Sequence, residues 1–283
     1  MSKIVVAIDF SDCSINAFLH ALSIAQHCQL DLSLVWVNKT GAEKEKFVSG
    51  TKDPSKEVTN AFEELVAKYK SELPGNKIAY KIRSGKVYSE VASEARTSKA
   101  ILVVAGTHGT SGFEEFWIGS NANKIIAACL CPVITIRGGI DIKRPLSRIA
   151  LPIDSTMETR QKATFTGFLA KGHDAMVYIV KMNTSKVREI RKNVDLYASQ
   201  TAMYLDKEGV RYQIDATEAD NIADAVIDYA RKIDANLISI MTSQETKTSN
   251  LWLGPFAHQT VNHSPIPVLS IHPKEVLAAG LGF

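Results

Sequence analysis

The sequence predicts an α/β protein made of two tandem, doubly wound, open parallel sheets of five strands each. Three observations carry this. The chain has 283 residues, room for two domains at about 150 residues each. It is written twice: Lys3-Ile-Val-Val-Ala-Ile-Asp9 returns as Arg148-Ile-Ala-Leu-Pro-Ile-Asp154 at an offset of 145. Ala105 to Ile136 then aligns without a gap on Ile240 to Ile271 at an offset of 135, matching Thr107 with Thr242, Gly119 with Gly254 and Pro132-Val133 with Pro267-Val268. Within each copy, short β-rich runs alternate with helical periodicity, the signature of parallel strands joined by crossover helices. A repeat of this length far exceeds the roughly 20–50 residues of solenoid units, so each copy should own a core. The expected divisions are a first domain over 1–138, a linker over 139–147 with Gly139 and Pro145, a second domain over 148–273, and a tail over 274–283.

The elements follow in order. Lys3 to Ile8, Asp31 to Val37, Lys77 to Arg83, Ala100 to Ala105 and Val133 to Ile136 read as strands, several continuously apolar as strands buried on both faces are. Between them, Ile15, Phe18, Leu19, Leu22 and Ala25 share one helical face. Val58, Ala61, Phe62, Leu65, Val66 and Tyr69 share another, and Pro74-Gly75 stops that helix. Val87, Val91 and Ala95 mark a third helix; Ser120 is a plausible N-cap for a fourth that carries Ile125 and Ile126. The second copy repeats the scheme, with Val187 to Tyr204 lining a long helix and Ile222 to Ile233 the next.

Composition narrows the function classes. The chain is 45% hydrophobic and 22% charged, an ordinary globular balance. No stretch approaches the roughly 18 apolar residues of a membrane span, and the apolar run at the N-terminus is too short for a signal peptide, so a cytoplasmic protein is expected. There are 33 basic and 30 acidic residues, spread evenly over both halves, which disfavours nucleic acid as a partner. The four cysteines, Cys13, Cys28, Cys129 and Cys131, form no CxxC motif and read as reduced thiols.

In an open parallel sheet, ligands bind at the carboxyl ends of the strands where strand order reverses. Asp9 ends the first strand, Val37-Asn38 ends the second, and Gly106-Thr107-His108-Gly109 follows the fourth. The last opens a pattern Gly106-x2-Gly109-x9-Gly119-Ser120 that runs into a helix N-terminus. Glycines let backbone amides approach a ligand closely, and free amides at a helix start favour an anion, so this loop suits a phosphate chain. Asp9 as a local helix-capping group, Ser120 as a mere N-cap and His108 as an exposed loop residue are the plainer readings of the same positions.

With these residues the sequence resembles the universal stress protein family, whose ATP-binding members carry G-2x-G-9x-G-(S/T). The resemblance extends from Lys3-Ile-Val-Val-Ala-Ile-Asp9-Phe-Ser11 to Cys131-Pro-Val-Ile-Thr-Ile136, and again from Arg148 to Ile271. It implies an adenine nucleotide alpha hydrolase-like sheet of order 3-2-1-4-5 and an ATP site in the first domain. Asp9 and the backbone around Ala7 and Val37 would meet adenine. Gly106, Thr107 and Gly109 would border ribose and phosphates, and Gly119, Ser120 and Asn121 would hold the phosphates, with Mg or Mn accompanying the nucleotide. It also implies that Val133 to Ile136 and Val268 to Ile271 pair across a pseudo-two-fold axis, giving an intramolecular pseudo-dimer.

The second copy departs where it matters: Gly106 becomes Met241, Gly109 becomes Gln244 and Ser120 becomes Pro255, so side chains should crowd the phosphate space and one amide is lost. This half is not expected to bind ATP in the same way. No Walker loop, GxSxG elbow or HExxH pair occurs, and the adenylating loops of related ATP-using folds are missing after the first strand. His258 and His263 are the nearest approach to metal-ligand spacing. The expectation is a nucleotide-dependent stress-response regulator with at most slow ATP hydrolysis and unidentified protein partners. The alternatives are a structural or interaction module without nucleotide, and an enzyme acting on a small adenylated or phosphorylated molecule.

Overall fold

The computed structural model describes residues 2–39, 54–107, 120–137, 145–242 and 253–273. In the first half the elements are β1 (Lys3–Ala7), α1 (Asp12–Cys28), β2 (Asp31–Lys39), α2 (Pro54–Tyr69), β3 (Ile78–Gly85), α3 (Val87–Thr97), β4 (Leu102–Gly106), α4 (Ser120–Ala128) and β5 (Val133–Ile136). The second half repeats them as β6 (Arg148–Ile153), α5 (Lys162–His173), β7 (Met176–Asn183), α6 (Arg188–Glu208), β8 (Tyr212–Glu218), α7 (Ile222–Lys232), β9 (Leu237–Met241), α8 (Pro255–His263) and β10 (Val268–Ile271).

The strands form one sheet in the order β3-β2-β1-β4-β5-β10-β9-β6-β7-β8. Pairing within each half is parallel. The halves join through β5 and β10, which run antiparallel with Leu269 opposite Ile134. Both strands are buried along their whole length. Each would otherwise be an apolar edge open to any other strand, and their pairing closes both edges at once.

The continuously apolar strands are explained by helices on both faces. Ile4, Val6 and Ile8 project into one core with Ala17, Phe18 and Leu22 of α1, and this core runs on into the second half through Ile149, Leu151 and Leu169. Val5, Val103 and Val133 project into the opposite core with Val91, Ala122 and Ile126, again continued by Ala150, Val226 and Val261. The α1 and α5 helices meet near the join. There, Gly172 allows Cys28 to pack closely, since a Cβ on Gly172 would stand 2.6 Å from the Cys28 sulfur. His27 stacks on His173 with ring centroids 4.2 Å apart.

Among the described residues no helix is long and apolar enough to cross a membrane. All four cysteines are unbonded.

Candidate functional site

The carboxyl edge of the first half opens between β1 and β4, which pair in parallel with Ala7 opposite Ala105. Two residues on, Asp9 and Thr107 leave these neighbouring strands side by side. Here strand order reverses, because β1 has β2 on its other side.

A tight local network sets Asp9. Its Oδ1 accepts from the Ser11 backbone N–H at 3.1 Å and from the Ser11 hydroxyl at 2.5 Å. Ser11 is the N-cap of α1 and accepts from Ser14 N–H at 3.3 Å, while Ser14 Oγ accepts from Asp9 N–H at 3.3 Å. The helix start and the carboxylate are thus built together, and Asp9 Oδ2 has no partner among the described residues. Asp9 does not cap α1 itself; it holds the residue that does. Between Asp9 and Ser11 the chain turns through Phe10 at φ 62°, a left-handed conformation costly for a large side chain. Packing on Phe62, at 4.9 Å between ring centroids, holds it there.

This corner ends β1 early. Its last paired residue is Ala7 opposite Val35, while β2 continues beside β3 to Lys39. On its β1 side, therefore, the backbone at Val37 lies beyond the end of its neighbouring strand. The Val37 side chain is buried in the core on the α3 side, so only its backbone faces the edge. Ala7 is likewise partly buried against that core.

Thr107 is buried, and its N–H donates to Ile136 O at 2.9 Å, continuing the β4–β5 ladder past the strand end. Gly106 has a duty that its spacing alone did not reveal. A Cβ there would stand 2.9 Å from Cys13 Sγ and 3.0 Å from the Cys13 carbonyl carbon. The side-chain direction at this position points into the first turn of α1, where Cys13 donates its thiol proton to Ile136 O at 3.2 Å. The crowding expected from Met241 therefore falls first on the helix, and Met241 packs against the core on the α5 side. Asn121 lies in the first turn of α4, half-buried, and α4 opens at Ser120. Gly109 and Gly119, with the rest of 108–119, lie outside the described residues.

The second half rebuilds the Asp9 network with different details. Asp154 Oδ1 accepts from Thr156 N–H at 2.7 Å and from the Thr156 hydroxyl at 2.5 Å, and Thr159 Oγ1 accepts from Asp154 N–H at 3.2 Å. The pattern Asp-x-Ser-x-x-Ser, repeated as Asp-x-Thr-x-x-Thr, was a legible signal for this structural unit. Here, however, Met157–Gln161 forms a 3-10 turn and α5 begins only at Lys162, the counterpart of Ala17. Strand β6 pairs one residue further, to Ile153 opposite Lys181. Thr242 repeats the Thr107 bond, donating to Ile271 O at 2.9 Å, and also bonds His272, whose other ring nitrogen meets Ile126 O of the first half at 2.6 Å.

His258 and His263 do not converge: both His258 ring nitrogens face the Asn262 amide. Among the described residues no group of three His, Cys, Asp or Glu side chains could hold a metal ion.

The sequence pattern of the universal stress protein family matches residues 1–137 and again 146–272. A universal stress protein of Methanocaldococcus jannaschii is 30% identical over 142 residues, which are 48% of this chain and 81% of that protein. One of Bacillus subtilis is 27% identical over 148 residues, 48% of this chain and 99% of that protein. Among solved structures, a universal stress protein from Archaeoglobus fulgidus superposes with a TM-score of 0.72 at 15% identity, covering 96% of this chain and 98% of that one.

Proposed function

Because the chain belongs to the universal stress protein family, matching it in both halves, we propose that the first half binds ATP and that the protein acts as a nucleotide-dependent stress-response regulator. The observation that carries this reading is the early end of β1 beside β4, whose last residue, Gly106, begins the glycine-punctuated sequence. Phe10 turns the chain away, and among the described residues the Val37 backbone has no strand neighbour on that side and Asp9 Oδ2 no partner. Backbone groups and a carboxylate oxygen at one edge suit the donors and acceptors of an adenine ring. The loop from Gly106 to Ser120 is spaced for the phosphates, with amides of Gly119, Ser120 and Asn121 at the start of α4 as their donors. Mg or Mn would come with the phosphates.

In this reading the units are 1–138 and 148–273, joined by 139–147 and followed by a tail over 274–283, and the protein works in the cytoplasm. Nucleotide occupancy alters the surface offered to protein partners. In this reading at most slow hydrolysis accompanies binding.

Equilibrium titration of the full chain with ATP and Mg tests the proposal. One nucleotide per chain is expected. Gly109→Gln, which imports the second half's residue, should weaken binding at least tenfold, a loss of about 1.4 kcal/mol. No binding by the parent chain, or two equivalent sites, would overturn the reading; the first result would favour an interaction module without nucleotide.

A further inference from the structure

The carboxyl edge of the second half holds a buried cation, Lys162, where the first half has Ala17. Lys162 is 2% exposed, and its Nζ donates to Thr159 Oγ1 at 2.9 Å. The other two ammonium protons have no partner among the described residues. Asp154 is the nearby opposite charge that acts on it, but no ion pair joins the two, and Asp154 Oδ1 is already engaged by Thr156. Burial dominates, pushing the Lys162 pKa down to about 8 against the opposing pull of Asp154.

The surroundings are polar in a layer where the first half is apolar. Thr166 and Ser239, both fully buried, bond each other at 2.8 Å between α5 and β9. Their counterparts are Ala21 and Val104, just as Ala17 stands for Lys162. Its bond to Thr159 brings Nζ to the turn that follows Asp154, on the β9 side of β6 where strand order reverses and beyond the last β6–β9 pair, Ala150 opposite Ile238. An unpaired buried ammonium is costly unless something supplies the missing acceptors. Its position at a switch point says what kind of acceptor that is.

We propose that this second edge binds a small oxyanion, the phosphoryl or carboxylate group of a metabolite, with Lys162 Nζ as its charged donor. The site is separate from the first-half edge and stands or falls independently of ATP binding there.

The test uses the full chain carrying lysine labelled with carbon-13 at Cε, with the Lys162 signal assigned by its loss in Lys162→Met. Inorganic phosphate and acetate are titrated separately against chloride at matched ionic strength. A saturable shift of the Lys162 signal is expected with one of them, together with a rise in its pKa of about one unit, a tenfold gain for the charged form. Whichever anion acts distinguishes a phosphoryl from a carboxylate ligand. The same anion should raise the thermal midpoint of the parent chain and not that of Lys162→Met. That variant replaces a buried charge by an apolar side chain of similar length and is expected to fold. A Lys162 signal that ignores both anions, or follows chloride equally, overturns the proposal. So does an anion-dependent midpoint that survives in Lys162→Met.

Discussion

The two halves share a scaffold closely enough that their differences can be read position by position. Five non-glycine residues among those described have positive φ, and four of them pair across the repeat: Gln29 with Asp174 at the ends of α1 and α5, and Lys99 with Asp234 before β4 and β9. Phe10 is the exception, since its counterpart Ser155 is not left-handed. The strained corner, the full-length α1 and Gly106 occur together in the first half. The relaxed corner, the 3-10 turn and Met241 occur together in the second. Helix ends and strand ends are thus features of the fold, whereas the Phe10 corner belongs to one edge only. Such local strain persists where surrounding packing enforces it, and it concentrates at functional sites.

The most damaging way to test this coupling is to import the second half's residue into the first. Gly106→Met should destabilise the protein by about 3 kcal/mol, at the upper end of overpacking costs, because the obstacle includes the Cys13 main chain and not only a movable side chain. Urea denaturation measures the loss. If Gly106→Met costs under about 0.5 kcal/mol, the close approach of β4 and α1 is not what requires glycine, and the link between Gly106 and the start of α1 fails.

A second test concerns the place where the halves touch. His20 and His173 each bury an Nε2 with no hydrogen-bond partner, and burial lowers their pKa values to about 4 and about 3, with His27 adding to the effect on His173. Both therefore stay neutral in the folded protein while the unfolded chain takes up protons near pH 6.5. The unfolded state binds more protons below that point, so stability is full above about pH 6.5 and is lost as pH falls toward 4. A loss of about 2–3 kcal/mol from each histidine by pH 4.5 is expected from this source. The counterpart of His20 is Phe165, so His20→Phe imports the uncharged partner and should flatten the acid dependence. Denaturation midpoints at pH 7 and pH 4.5 decide; an unchanged difference in the variant would place acid sensitivity elsewhere.

What the sequence disclosed and what it hid divide along physical lines. The strands and most helices were legible because both faces of the sheet are covered, so apolar runs such as Ile4 to Ile8 have only one use. The join was expected from the family resemblance, which implied that Val133 to Ile136 and Val268 to Ile271 pair, and their apolar edges fit it. That Asp9 and Thr107 follow the ends of β1 and β4 was legible because strand ends can be read from pattern breaks, whereas β2 runs two residues past the end expected at Val37. The second role of Gly106 was hidden: a clash with Cys13 depends on how closely a helix approaches a strand, which spacing does not encode. Phe10 was hidden because nothing in a phenylalanine signals positive φ. Lys162 reads in isolation as an exposed helix residue, and only its alignment with Ala17 marks it as an intruder in a buried position.

The gentlest test probes a charge pattern that the repeat inverts. In the first half Glu94 of α3 is buried and pairs with Arg83 at 2.5 Å and Lys81 at 2.9 Å. Burial alone would raise its pKa, but those two cations outweigh it and hold the carboxyl below its usual range. In the second half the strand carries the acid and the helix the neutral donor: Tyr229 of α7 bonds Asp215 of β8, in the places of Glu94 and Lys81. Here burial, followed by the Asp215 carboxylate, raises the tyrosine pKa. Glu94→Gln should cost about 1–2 kcal/mol, a modest figure for a buried carboxylate because its cationic partners are partly exposed and can turn to water. That loss should shrink as pH falls through the carboxyl's range, since a depressed pKa contributes stability only above it. Tyr229→Phe should cost about 1 kcal/mol or less, because Asp215 keeps its contact with Gln213 at 3.1 Å. Urea midpoints for both variants rank the two networks. A larger loss from Tyr229→Phe would mean that the uncharged bond, not the ion cluster, anchors its strand more firmly.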